Sequence, residues 1–206
     1  MLAVIDYGRG NLTSVSNSLS HLNIEHEIVT TTEAVRAADA IILPGVGSWD
    51  DAIKNLTTSG MFDCIREEIA KGKPFLGICL GMQLLFGESE EGELEGLHIF
   101  NGKVRRFHFK GAAERGLKVP HTGWNTLEVS ENDPLMVDGS EVYFTHSYFA
   151  VPEDRAVISA NSDYGGKFCA AVRRDNVEGM QFHPEKSGSV GLQILKRFAA
   201  RVKTNS

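Results

Sequence analysis

Several kinds of protein are excluded by what these 206 residues lack. There are only three cysteines (Cys64, Cys79 and Cys169), an odd number with no CxxC spacing, which argues against a disulfide framework or a zinc knuckle. The seven histidines show neither HExxH nor HxH spacing, so no metal site is expected. No stretch approaches the roughly 18 consecutive apolar residues of a membrane span. The start, MLAVIDYGRGN, lacks the basic segment and long apolar run of a signal peptide. A cytoplasmic protein with no membrane partner is the expectation. Lysine and arginine total 21 against 27 acids, a net charge of −6, so a global basic footprint for nucleic acid is missing. A Walker sequence is absent too. Gly8-Arg9-Gly10-Asn11 follows a strand-like run as a dinucleotide-binding turn would, but Thr13 stands where the third glycine belongs. No cofactor is expected.

What is present is ordinary globular material, 42% hydrophobic and 23% charged, enough for a core and inconsistent with disorder. No repeat or Pro/Ser-rich linker divides the chain, so residues 1–206 read as a single domain. Leu2 to Asp6, His26 to Thr30, Ala40 to Leu43 and Pro74 to Ile78 read as strands, with helices over Leu12 to Leu22, Ser48 to Leu56 and Met61 to Ala70. Continuous apolar strands separated by helices predict an α/β fold, with a mostly parallel central sheet covered on both faces. From about Asn101 the rhythm changes to short β segments: Val104 to Phe109, Trp124 to Val129, Val142 to Phe144, Ala156 to Ala160 and Phe168 to Val172. Asn176 to Phe182 reads as a last strand and Val190 to Val202 as a closing helix, with Leu192, Leu195 and Phe198 on one face.

Three motifs could carry chemistry. Gly77-Ile78-Cys79-Leu80-Gly81 follows an apolar strand and precedes a helix-like run from Met82 to Phe86, the form of a nucleophile elbow with cysteine in place of serine. A thiolate at a helix N-terminus is favoured, although an isolated GxCxG also suits a buried structural cysteine. His183-Pro184-Glu185 follows the last strand; a cysteine nucleophile needs a base, and the base needs an orienting acceptor. Taken alone, it is a polar turn. Pro44-Gly45-Val46-Gly47 follows the third strand, where two glycines would let a peptide near Val46 turn its N–H toward an oxyanion; Leu80, after the nucleophile, would supply the second donor. A plain strand-ending turn is the alternative. The acidic run Glu88, Glu90, Glu91, Glu93, Glu95 reads as a solvated loop from which one carboxylate could meet a substrate ammonium. Lys103 to Lys118, with six bases against Glu114, reads as a solvated hairpin or as a basic patch for an acidic partner surface.

Together these residues resemble the class I (triad) glutamine amidotransferases, whose site combines a GxCxGxQ elbow (here Gly77 to Gln83), a PGxG segment (Pro44 to Gly47) and a C-terminal HPE (His183 to Glu185). The resemblance spans nearly the whole chain and implies a flavodoxin-like domain. Further segments (Asp6 to Leu12, Pro44 to Trp49, Pro120 to Asn125 and Tyr143 to Tyr148) resemble the branch of that family that serves histidine biosynthesis. By this resemblance Cys79 would attack the amide of L-glutamine, with His183 as base then acid and Glu185 orienting it. Leu80, Val46 and Gly47 would stabilise the oxyanion. Gln83 and Glu91 would hold the amino-acid end, and His146, Ser147 and Tyr148 would line the pocket.

The same resemblance implies a heterodimer. Ammonia would pass to a (β/α)₈-barrel cyclase/synthase subunit that makes imidazole glycerol phosphate and aminoimidazole carboxamide ribotide, with Trp124 and Asn125 at the interface. Thr122 and Trp49 stand where other residue types also occur, which leaves interface details open. The alternatives are a glutaminase for pyridoxal phosphate, purine or anthranilate synthesis, a catalytically silent interaction module, or a small hydrolase or chaperone of the Cys-elbow type.

Overall fold

The computed structural model describes residues 1–8, 10–109, 116–131 and 133–204. Its first half alternates β1 (Leu2–Ile5), α1 (Leu12–His21), β2 (His26–Val29), α2 (Thr32–Ala37), β3 (Ala40–Gly45), α3 (Trp49–Thr58), α4 (Met61–Ala70), β4 (Phe75–Cys79) and the single turn α5 (Leu80–Gln83). The second half is mainly strands: β5 (Glu88–Ser89), β6 (Gly102–Arg106), β7 (His121–Thr126), β8 (Glu128–Val129), β9 (Glu141–His146), β10 (Tyr148–Pro152), β11 (Ile158–Asp163), β12 (Lys167–Arg174) and β13 (Val177–Met180). The closing helix, α6, spans Gly188–Thr204.

An eight-stranded sheet runs β2-β1-β3-β4-β13-β12-β11-β8. The strands from β2 to β13 are parallel, and the last three join antiparallel. Successive side chains of a strand point to opposite faces, and here each face has its own core. Ala3, Ile5, Ile41, Leu43 and Phe75 pack with Val35 of α2, Ile53 and Leu56 of α3 and Ile65 of α4. Leu2, Val4, Ile42, Leu76 and Ile78 pack with Val15 and Leu19 of α1 and Ile194, Leu195 and Phe198 of α6. That is why these strands read as unbroken apolar runs: both faces are dry. The expected doubly covered α/β sheet is the one observed.

Two smaller sheets, β10-β6-β5 and the ribbon β7-β9, flank the C-terminal edge. α2 escapes sequence reading because it has six residues and buries one, Val35; Thr31 caps it by accepting the Ala34 N–H at 3.3 Å. The helix expected through Phe86 closes after one turn. In the last helix Leu192 is only half-buried; Ile194, Leu195 and Phe198 carry the face. Among the described residues no helix is long and apolar enough to cross a membrane.

Candidate active site

Parallel pairing brings the motifs together. Gly45 at the end of β3 lies opposite Cys79 at the end of β4, and β13 runs beside β4 in register, Met180 opposite Ile78. Three distant segments therefore end at one carboxyl edge, where ligands of open α/β sheets bind. Cys79 has φ 55° and ψ −109°, a backbone that a non-glycine residue adopts only under constraint. The constraint is close packing of the elbow on the sheet. A Cβ on Gly77 would lie 2.5 Å from Gly81 O, and one on Gly45 would lie 2.8 Å from Gly81 N. The sequence suggested conformational freedom for both glycines around Val46. Gly45 instead serves close approach, and Gly47, at φ +103°, is the one in the left-handed region.

His183 is held from both ends of its backbone: its N–H donates to Tyr143 O at 2.9 Å, and its carbonyl accepts from Ser187 Oγ at 2.7 Å. Its Nδ1 lies 2.8 Å from Glu185 Oε1, which also accepts from Asn11 Nδ2 at 3.1 Å. The Glu185 side chain has no exposure. Burial by itself pushes the His183 ring down, but the Cys79 sulfur and the Glu185 carboxylate outweigh it and raise the ring to about 10. Nε2 closes no hydrogen bond among the described residues.

Cys79, Leu80 and His183 open onto a cavity of about 360 Å³, whose wall also includes Val46, Gly47, Gln83, Glu91, His146, Ser147 and Tyr148. Pro120 and Thr145 line it as well, unanticipated from the sequence. Glu91 is one member of the acidic run that is not simply solvated. Its Oε2 accepts the Trp49 N–H at 3.0 Å, capping the start of α3 and fixing the carboxylate at the cavity wall. Burial raises its pKa, the Trp49 hydrogen bond opposes this, and the Asp50 charge adds to it. Glu90 accepts from Arg105 Nε at 3.2 Å and Arg106 N–H at 2.8 Å, so part of the basic stretch is neutralised within the chain. Lys110, Glu114 and Arg115 of that stretch, and Arg9 of the glycine turn, lie outside the described residues. Trp49 is fully buried, its Nε1 donating to Leu94 O at 2.7 Å.

His146 lines the cavity with both ring nitrogens engaged. Nδ1 donates to Tyr148 O at 2.7 Å, and Nε2 lies 3.0 Å from His121 Nδ1. His121 Nε2 donates to Asn125 Oδ1 at 2.7 Å, and Asn125 Nδ2 donates to Asp163 O at 2.7 Å. Both outer partners are acceptors, so the inner contact closes only around an extra proton. Burial resists that charge, pushing His146 down to about 3 and His121 down as well. The contact is frustrated. Asn125 is half-buried and uses both amide atoms in hydrogen bonds within the chain. Trp124 is 53% exposed on the β7–β9 ribbon.

The family model for class-I glutamine amidotransferases matches residues 3–202. The chain belongs to that family. Among curated proteins, this amidotransferase is 48% identical over 204 residues to the imidazole glycerol phosphate synthase subunit HisH of Syntrophotalea carbinolica, covering 96% of this chain and 98% of the relative. It is also 48% identical to the subunit of that name from Geobacillus thermodenitrificans, covering 98% and 96%. Among solved structures, a glutamine amidotransferase superposes with a TM-score of 0.77 at 20% identity, covering 98% of both chains. PurLQS from Thermotoga maritima gives 0.75 at 19%, covering 97% of both chains. These last two likenesses concern the fold.

Besides Pro120 and Thr145, the roles of three residues of this amidotransferase site went unread in the sequence: Asn11 on Glu185, His121 behind His146, and Gln181 beside Cys79. Asn11 and His121 fall in segments that carry the family resemblance, which assigned neither a role, and Gln181 falls in the last expected strand with no functional signal.

Proposed function

We propose that the chain hydrolyses L-glutamine to L-glutamate and ammonia, as the glutaminase subunit of an imidazole glycerol phosphate synthase in histidine biosynthesis. The observation that carries the chemistry is the buried His183–Glu185 contact of 2.8 Å at the wall that also holds Cys79. Relatives named as HisH subunits, at high identity and coverage, support the pathway.

The Cys79 thiolate adds to the side-chain amide carbon, and the C–O π electrons move onto oxygen. Backbone N–H groups of Leu80 and of the Val46–Gly47 segment stabilise that oxyanion. His183 gives its proton to the amide nitrogen, the C–N bond breaks, and ammonia leaves a thioester on Cys79. His183, now neutral, takes a proton from water as it attacks the thioester, giving glutamate and restoring the thiolate. Glu185 holds the imidazolium. Gln83 and Glu91 receive the amino-acid end of the substrate, with His146, Ser147 and Tyr148 forming the far wall.

Ammonia passes to a (β/α)₈-barrel cyclase subunit docked at the ribbon that exposes Trp124. Co-purification with that cyclase, followed by glutaminase assay with and without it, tests the assignment. Absence of any complex, with turnover unaffected by the cyclase, would assign the chain elsewhere.

The triad makes unequal demands on His183 and Glu185. His183→Ala removes the proton carrier and should lower kcat at least about 1,000-fold. Glu185→Gln should lose less, because a carboxamide oxygen at the Oε1 position can still accept from His183 and Asn11 while the charge is lost. Steady-state assays of the complex read both, and small equal losses would remove the triad.

A pH effect follows from Glu91. Its raised pKa means the neutral acid takes over at a higher pH than for an ordinary carboxylate, and the substrate ammonium then loses its counter-charge. KM for glutamine should therefore climb as pH falls, starting above the usual carboxylate range, with kcat much less affected. Glu91→Gln keeps an acceptor for the Trp49 N–H and should give a high, flat KM profile. A wild-type slope retained in that variant would assign the effect to another group.

A further inference from the structure

We propose that Gln181 is a positioning residue for the nucleophile: its carboxamide donates to the Cys79 sulfur and ties it to the wall that receives the substrate. The proposal rests on Cys79 being the nucleophile. Gln181 directly follows β13, has no exposure, and is pinned by its N–H to Ala170 O at 2.9 Å. Register alone sets it beside Cys79, since the preceding pair is Met180 and Ile78.

The direction of its amide is fixed by counting donors. Tyr148 O only accepts, and Gln83 meets it at 3.0 Å, so that contact must be the Gln83 nitrogen. The same nitrogen lies 3.0 Å from Gln181, which must therefore present its oxygen there. The Gln181 nitrogen is left facing Cys79 Sγ, at 3.7 Å. A flipped Gln181 would set two amide nitrogens against each other at a buried contact. On its other side the sulfur faces Thr145 O at 4.0 Å, an acceptor that favours the S–H form. The Gln181 donor opposes it and favours the thiolate. Because Gln83 holds both Gln181 and the Tyr148 carbonyl, thiolate and substrate cradle are aligned by one pair of carboxamides.

The test is the pH dependence of Cys79 alkylation by iodoacetamide, with labelled sites identified by peptide mass and Cys79→Ala as the blank. The other cysteines are poor competitors: burial pushes Cys169 up to about 12 and raises Cys64. Gln181→Met keeps the volume and removes the donor. Alkylation at neutral pH should slow about threefold to tenfold, with the pH midpoint displaced upward. Glutaminase kcat in the complex should fall by a similar factor, with a smaller change in KM. Gln181→Glu keeps the acceptor for Gln83 but sets a negative charge against sulfur, so its midpoint should move further in the same direction. It also serves if the methionine variant fails to fold.

A purely structural role would change stability without moving the midpoint. Superimposable alkylation profiles for a folded Gln181 variant and the parent would overturn the proposal. Glutamine turnover retained by Cys79→Ala would instead overturn the nucleophile assignment, so the two failures are distinguishable.

Discussion

Replacing Cys79 with alanine should abolish glutamine-dependent synthesis by the complex while leaving synthesis from added ammonia intact. In the proposed mechanism the glutamine reaction passes through one covalent intermediate, a thioester on one sulfur. Removing a nucleophile forfeits its whole contribution, commonly about 10,000-fold or more in kcat, because the remaining groups act only through it. No other cysteine can substitute: Cys64 and Cys169 are buried elsewhere, and neither lines the cavity. In the proposed complex the ammonia reaction belongs to the cyclase subunit and needs none of this machinery. Equal loss of both reactions would mean that the substitution damages assembly, and persistence of the glutamine reaction would place the nucleophile elsewhere. Cys64→Ala and Cys169→Ala should leave both reactions within about twofold, since neither residue touches the cavity.

Gly81→Ala should be the most destabilising conservative substitution in the site. A Cβ there would lie 1.9 Å from Leu43 O and 3.0 Å from Leu43 C. These are backbone atoms of β3, a central strand buried along its length, so no side chain can move aside. Relief requires lifting α5 off the sheet, which carries Cys79 away from His183. The expected loss is about 4 kcal/mol or more, in the range of the severest single substitutions, or failure to fold. Urea denaturation of the purified variant measures it. A midpoint within about 1 kcal/mol of the parent's stability would show that the elbow has slack this packing denies. The matched control is Gly72→Ala. No atom lies within 4 Å of a Cβ there, so its cost comes only from φ +91° and should be much smaller.

The two predictions separate chemistry that is local in the chain from packing that is not. The parallel sheet was legible in residues 1–80 because a strand dry on both faces must be apolar at every position, as in Leu2–Ile5 and Phe75–Cys79. The elbow and the His-Pro-Glu turn were legible because each packs its requirements into a few consecutive residues. Glycines must flank a strained Cys79, and Glu185 must lie two residues from His183 to meet its ring. The β-rich second half was legible only as fragments. Pairing of β7 with β9, and of β6 with β10, depends on partners chosen by the fold, and the short helix α2 buries too little to show a period.

Beyond those motifs the tertiary structure decided the site. Asn11 reaches Glu185 across 174 residues of sequence, Gln181 reaches Cys79 across 102, and Gln83 reaches Tyr148 across 65. An asparagine or glutamine carries no local pattern that says whether it will face solvent or a buried sulfur. By its own chemistry Glu91 was one carboxylate among five, singled out only by the family resemblance; the fold sets it against the start of α3. The sequence by itself determined which atoms could react, because nucleophile and base are properties of residue types at close spacing. Only the tertiary structure decided which polar groups orient them, because a buried hydrogen bond is specified by two chain positions meeting in space, and that meeting is set by the sheet's strand order.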